Sequence, residues 1–84
     1  MTLKELYELN IKTSINGEEW TLRIEPAQHP REHAVLFSLV DPTGEPKNFT
    51  LLDKEFFKPH DKDTVMKEII EPTLARLKAR REIK

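Results

Sequence analysis

The stretch IKTSINGEEWTLRIE, residues 11–25, decides the fold of this chain because it describes a complete β-hairpin. Apolar and polar residues alternate on both sides of its centre, a pattern typical of half-buried strands. The centre is Asn16-Gly17, which suits a type I′ turn because both central residues of that turn need positive φ. The sequence therefore predicts two antiparallel strands, with Trp20, Leu22 and Ile24 on the buried face.

The residues that follow, Pro26 to Leu52, predict a second hairpin. Two prolines interrupt the strand pattern, so Pro26 to Glu32 is expected to be a loop. His33 to Val40 is apolar almost throughout and should be the most buried strand. Asp41 to Pro46 holds Pro and Gly at positions that favour a turn, and Lys47 to Leu52 then returns as the fourth strand.

The aromatic residues of this half are all expected to face the core. Phe49 should lie on the buried face of the fourth strand, with Asn48 and Thr50 on the opposite, solvated face. The residues after this strand should form a single helical turn that folds Phe56 and Phe57 under the sheet.

Both ends of the chain predict helices. Thr2 can cap a short N-terminal helix that Asn10 would end. Residues 61–84 predict one long amphipathic helix, with an aspartate cap at its start and basic residues at its end. Pro72 lies inside it and should kink it or divide it in two. The apolar stripe of this helix consists of Val65, Met66, Ile69, Ile70, Thr73, Leu74 and Leu77.

Together these elements predict a single α+β domain that spans residues 1–84. Its sheet should have four mostly antiparallel strands, packed by the long C-terminal α-helix. The short N-terminal helix is expected at one edge of the sheet or on its other face. A chain of 84 residues has room for one hydrophobic core only.

Composition narrows the function classes. The 14 Lys and Arg residues nearly balance 15 Asp and Glu residues, so the formal charge of −1 creates no global field that would attract nucleic acid. There is no cysteine, which fits a reducing compartment. No apolar run approaches the roughly 20 residues that cross a bilayer, and the N-terminus lacks a signal-peptide core. These features favour a cytoplasmic protein.

The sequence contains no recognisable catalytic motif. It has neither a nucleophile elbow nor a glycine-rich phosphate loop, and its two glycines are both explained by turns. His29, Glu32, His33, His60 and Asp61 are the residues that most resemble metal ligands, but Pro30 separates the first two histidines and breaks a helical spacing. We therefore expect no enzyme activity, no metal and no cofactor.

The third strand points instead to protein binding. Leu36 and Val40 lie opposite Val35 and Phe37, so the strand is apolar on both faces. Either the N-terminal helix covers the second face or a partner does, because contiguous exposed apolar patches usually mark interfaces. A homodimer is the simplest such partner. The leading hypothesis is thus a small protein-binding module, of the kind common among accessory proteins of bacteria and phages.

The alternative hypothesis is nucleic-acid binding through the end of the C-terminal helix. This segment carries five basic residues against Glu82 alone, and these could bind phosphates without base specificity. Lysine and arginine also favour helix C-termini for the helix dipole alone, so a solvated helix end explains the same pattern. The five residues are Arg76, Lys78, Arg80, Arg81 and Lys84.

The order of helix, two strand hairpins and helix resembles that of double-stranded-RNA-binding domains, which run helix, three strands, helix. Such domains place a basic cluster at the start of their last helix, where this chain has Asp61-Lys62-Asp63. The resemblance implies an α+β fold and concerns the order of elements only.

Overall fold

The computed structural model describes residues 2–28 and 30–82, with side chains as far as residue 80. It confirms the predicted α+β fold, with a four-stranded antiparallel sheet, a long C-terminal helix and a short N-terminal one. The C-terminal helix consists of a first turn, Lys62–Val65, a π-helical segment, Met66–Ile70, and a longer α-helical part, Glu71–Glu82. The elements in order are α1 (Leu3–Tyr7), β1 (Asn10–Ile15), β2 (Glu18–Pro26), β3 (Ala34–Val40), β4 (Pro46–Asp53), a 3₁₀ helix (Lys54–Phe56), α2 (Lys62–Val65) and α3 (Glu71–Glu82).

The sheet is a meander in the order β1-β2-β3-β4, with each strand antiparallel to its neighbours. The first hairpin turns at Asn16 and Gly17, with φ of 52° and 82°, as the type I′ prediction requires. The second hairpin contains an irregularity, because Leu39 pairs with Asn48 while Val40 pairs with Pro46. Lys47 is therefore the extra residue of a β-bulge.

Both α-helical ends of the chain pack on the same face of the sheet. Leu6 of α1 is fully buried in one core with Trp20 and Leu22 of β2 and with Val65 and Ile70 of the C-terminal helix. The expectation that α1 could cover the second face of β3 is therefore wrong. Within the described residues the fold has two layers, and the other face of the sheet is open.

The N-terminal helix begins as predicted and ends earlier. Thr2 and Glu5 form a capping box, in which the Thr2 hydroxyl oxygen accepts a hydrogen bond from the Glu5 backbone N–H at 3.2 Å. The helix ends at Tyr7, with Glu8 as its C-cap, and Asn10 is already the first residue of β1. The prediction that Asn10 ends the helix is therefore wrong.

The C-terminal helix stays helical through Pro72. The Thr64 backbone N–H donates to the Asp61 carboxylate at 2.8 Å, so Asp61 is the predicted cap. The predicted division at the proline is therefore wrong, and a π-helical segment lies directly before it, where the Glu71 N–H donates to the Met66 carbonyl. The Thr73 hydroxyl donates to the Ile69 carbonyl at 2.6 Å and further satisfies this turn. The wider turn accommodates a residue that cannot donate a backbone hydrogen bond.

The two phenylalanines after β4 have different environments. Phe57 is fully buried and its ring stacks on Phe37, with ring centroids 5.9 Å apart. Phe56 remains 57% exposed. The prediction is confirmed for Phe57 and wrong for Phe56.

Candidate interaction surface

The β4 strand presents its side chains the opposite way from the prediction. Asn48 pairs with Leu39 and Thr50 pairs with Phe37, two fully buried residues that face the helices. The Asn48 side chain donates a hydrogen bond to the Leu77 carbonyl at 3.1 Å, which places it beneath α3. Phe49 consequently lies on the open face, and 63% of it is exposed to solvent.

The bulge at Lys47 explains this inversion. Side chains alternate along a strand, so one inserted residue moves every later side chain to the other face. Without the insertion, Asn48 would share the open face with Pro46, as the sequence pattern favours. The sequence carries no signal of this inversion, because Asn48 and Thr50 resemble the residues of an ordinary solvated strand face.

The open face of the sheet divides into a charged half and an apolar half. On β1 and β2, Lys12 lies 3.4 Å from Glu19, and Arg23 lies 3.5 Å from Glu25. These cations are neutralised by their own neighbours, so this half of the face has no surplus positive charge. Exposed pairs of this kind contribute about 0 to 1 kcal/mol.

The apolar half belongs to β3 and β4. Leu36 pairs with Leu51, and Ser38 pairs with Phe49, so these side chains share one face. Leu36 and Leu51 are half-buried, while Ser38 is only 6% exposed. Leu36, Ser38 and Phe49 border, with Pro46, a shallow depression of about 370 Å³. This confirms that the third strand carries apolar residues on both faces.

A fixed turn holds the basic residue nearest to this half. The Asp41 carboxylate accepts hydrogen bonds from the Thr43 hydroxyl at 2.6 Å and from the Glu45 backbone N–H at 2.9 Å. The Thr43 hydroxyl, above all, holds the pKa of Asp41 below its usual value. Lys47 contacts both acids, at 3.8 Å from Asp41 and 3.4 Å from Glu45. The Lys47 charge is therefore directed toward the turn.

A second apolar patch lies on the helix side of β4. It is a groove of about 260 Å³, with Leu52 and Phe56 on one side and Ile69 and Pro72 of the C-terminal helix on the other. Glu68 and Arg76 also line it, four residues before and after Pro72. Residues at that spacing lie on one helical stripe, so the groove has an acid at one end and a base at the other.

Between these two patches lies an edge strand. Among the described residues, β4 pairs with β3 alone, and the segment from Asn48 to Leu52 contains no charged side chain. The opposite edge, β1, has Lys12 near its middle. A lysine is one of the devices that keep other chains from adding to a sheet edge, and β4 lacks it over these residues. We call the apolar residues beside this edge, namely Leu36, Phe49, Leu51, Leu52, Phe56, Ile69 and Pro72, the β4 surface.

Only some residues of the predicted basic site lie on the same side of α3. Arg76 and Arg80 are exposed and lie one helical turn apart on the same side of α3. Lys78 is half-buried and projects from a different side, since two residues correspond to about 200° of rotation. The side chain of Arg81 and all of Lys84 lie outside the described residues. Nucleic-acid binding by this segment stays a prediction.

The two histidines that the structure describes lie in different connecting segments. His33 lies in the turn before β3, where its carbonyl accepts a hydrogen bond from the Lys54 N–H at 3.0 Å, and His60 precedes α2. His29 lies outside the described residues. Within residues 2–28 and 30–82, no group of three or more His, Asp or Glu side chains could hold a metal ion.

No protein-family model, curated protein or solved structure matches this chain. Among the described helices, none is both long enough and apolar enough to cross a membrane. The geometry of the chain's own residues therefore carries the functional interpretation.

Proposed function

We propose that this chain is a protein-binding module that acts through the β4 surface. The observation that carries the proposal is the exposure of Phe49 on the open face of the sheet. Exposed aromatic residues beside other apolar side chains are the usual anchors of protein interfaces. The bulge at Lys47 directs the Phe49 side chain to the open face, and the hydrogen bond from Asn48 to the Leu77 carbonyl holds β4 in this orientation. The exposure of Phe49 therefore follows from the geometry of the strand.

The electrostatics of the surface favour a protein over a nucleic acid. The cations nearest to the open face, Lys12, Arg23 and Lys47, each lie within 4 Å of a carboxylate of this chain. Phosphate binding depends on cations that are free to replace counterions. A surface with paired charges and exposed apolar residues fits a partner that contributes apolar side chains.

Binding measurements with matched variants test this proposal. Phe49→Ser removes the anchor, and Lys12→Ser changes an exposed residue on the charged half as the control. Burial of a phenylalanine stabilises by about 1.5 to 3 kcal/mol, so Phe49→Ser should weaken the affinity at least about tenfold. Lys12→Ser should leave the affinity nearly unchanged.

The readout is the dissociation constant, measured by calorimetry with purified components. The partners tested are a second copy of the chain and any protein from a cell extract that binds again after purification. If every partner found binds Phe49→Ser and Phe56→Ser as tightly as the wild type, or if the wild type binds neither itself nor another protein, the proposal is wrong.

A salt titration separates this proposal from the alternative. Retention on DNA or RNA that falls steeply with salt, and that is lost when Arg76 and Arg80 are both replaced by Ala, would favour the basic helix end. We expect no retention on either polymer at low salt.

A further inference from the structure

The residue order of β4 is self-complementary when two copies run antiparallel. If Thr50 of one copy lies opposite Thr50 of a second copy, Phe49 lies opposite Leu51 at two symmetric positions. Lys47 then lies near Asp53 of the other copy at both ends of the pair. Aromatic-aliphatic, Thr-Thr and opposite-charge pairs across antiparallel strands are all favourable.

This register also keeps the two faces of the sheet consistent. Residues opposite each other must share a face, and the register pairs odd-numbered residues with odd-numbered ones. Phe49 and Leu51 both lie on the open face, whereas Asn48 and Leu52 both lie on the helix side. Two sheets joined in this way form one continuous sheet, with all helices on one side.

The C-terminal helix carries a second, independent complementarity. Glu68, Pro72 and Arg76 line the groove beside β4 on one helical stripe. A two-fold axis at the edge of β4 places this stripe antiparallel to the same stripe of the second copy. Glu68 then approaches Arg76 of the other copy on both sides of Pro72. One two-fold axis therefore pairs both the β4 edges and the charged residues of the two helices.

The charged pairs set the register more than they strengthen binding. Lys47 already contacts Glu45 at 3.4 Å, and the Asp53 carboxylate accepts a hydrogen bond from the Glu55 N–H at 2.9 Å. Both groups keep these local partners, so their mutual attraction adds little. The affinity must therefore come from main-chain hydrogen bonds along β4 and from burial of Phe49 and Phe56.

We infer that the partner bound by the β4 surface is a second copy of this chain, paired through antiparallel β4 strands centred on Thr50. The inference rests on the proposed function and names the occupant of the same surface. A strand added from a different protein, or a partner packed flat on the open face, is a different outcome of the test below.

Site-specific cross-linking tests this arrangement, because the chain contains no cysteine. Thr50→Cys introduces a single thiol that would face its symmetric counterpart at a distance that a disulfide can span. Ser14→Cys, on the opposite edge strand and exposed, is the matched control. With diamide as the oxidant, Thr50→Cys should form a disulfide-linked dimer at least about tenfold faster than Ser14→Cys.

Sedimentation velocity of the unmodified chain supplies a readout without any cysteine. We expect a dimer whose dissociation constant rises at least about tenfold on Phe49→Ser, while Lys12→Ser leaves it unchanged. A wild type that stays monomeric, or equal cross-linking of the two cysteine variants, would overturn the dimer.

The results also separate the two proposals. If the chain is monomeric but a purified heterologous protein binds it through Phe49, the dimer is wrong and the proposed function stands. If the chain dimerises with no dependence on Phe49 or Phe56, the dimer inferred here is wrong, and the proposed function is wrong as well when no heterologous partner depends on these two residues.

Discussion

Trp20 of the β1–β2 hairpin and Phe49 of the β3–β4 hairpin lie on opposite faces of the sheet. In the β1–β2 hairpin, Trp20 points into the core and is 6% exposed, as its alternating pattern predicts. In the β3–β4 hairpin, Phe49 points to solvent while Asn48 lies beneath α3. The difference shows that a strand can turn its aromatic residue to solvent and its polar residues to the core. In β4 this happens because one bulged residue shifts the later side chains to the other face, and because a hydrogen bond satisfies the buried Asn48 side chain.

The largest expected change in stability comes from replacing Trp20. Trp20→Ala should lower the free energy of unfolding by about 3 to 5 kcal/mol, because it removes a large aromatic group from the core. A domain of this size has little more stability than that, so the variant should unfold at low denaturant concentration. Urea denaturation followed by circular dichroism provides the measurement. An unchanged midpoint would show that β2 does not face the core.

A smaller effect is expected from the polar residue beneath α3. Asn48→Ala removes the hydrogen bond to the Leu77 carbonyl and should cost about 0.5 to 1.5 kcal/mol of unfolding free energy. Asn10→Ala, at the exposed start of β1, is the control and should change stability by less than about 0.5 kcal/mol. Equal effects of the two variants would mean that the Asn48 contact adds nothing to the inverted strand.

Phe49 should contribute still less to the stability of the single chain. At protein concentrations low enough to prevent association, Phe49→Ser should change the free energy of unfolding by no more than about 0.5 kcal/mol, as for other exposed positions. Thermal melts of the dilute wild type and variant provide the check. A loss as large as that of Trp20→Ala would place Phe49 in the core and remove the basis of the β4 surface.

The smallest expected effect is a difference between the two hairpin turns in their sensitivity to acid. The Thr43 hydroxyl and two backbone N–H groups hold the pKa of Asp41 below its unfolded value. The stability that the ionised Asp41 carboxylate contributes is therefore present above about pH 4, and it is lost as the pH falls through the pKa of Asp41 in the folded chain. The turn at Asn16 and Gly17 has no carboxylate of its own.

Melting temperatures measured between about pH 6 and about pH 2 test the direction of this pH dependence. The wild type should lose stability on acidification more steeply than Asp41→Asn, whose side chain does not titrate. The Asp61 cap and the Glu5 capping box, whose pKa values are also lowered by hydrogen bonds to Thr64 and Thr2, should add to the acid sensitivity of both proteins. Parallel pH profiles would contradict the role given to Asp41.

The sequence predicted the fold well wherever local chemistry determines it. The Asn16-Gly17 turn, the caps at Thr2 and Asp61, and the apolar stripe of the C-terminal helix depend on nearby residues, and all are found in the structure. The orientation of β4 depends on a bulge, which is set by pairing with β3 and not by the residues of β4 themselves.

The candidate surface was therefore only half predictable. The apolar second face of β3 could be anticipated from Leu36 and Val40, but the exposure of Phe49 and Phe56 could not. Both residues look like core residues by composition, and only the tertiary structure shows which phenylalanine has room beneath the sheet. Phe57 fills that space against Phe37, so Phe56 remains outside.

Amide hydrogen exchange at low and high protein concentration tests the central claim, that β4 is the binding edge of this molecule. If the β4 surface binds a second copy, amides between residues 47 and 53 should gain protection as the concentration rises, while those of β1 should not change. Protection that increases at β1, or exchange at β4 that is the same at both concentrations and with every partner that binds, would contradict the account.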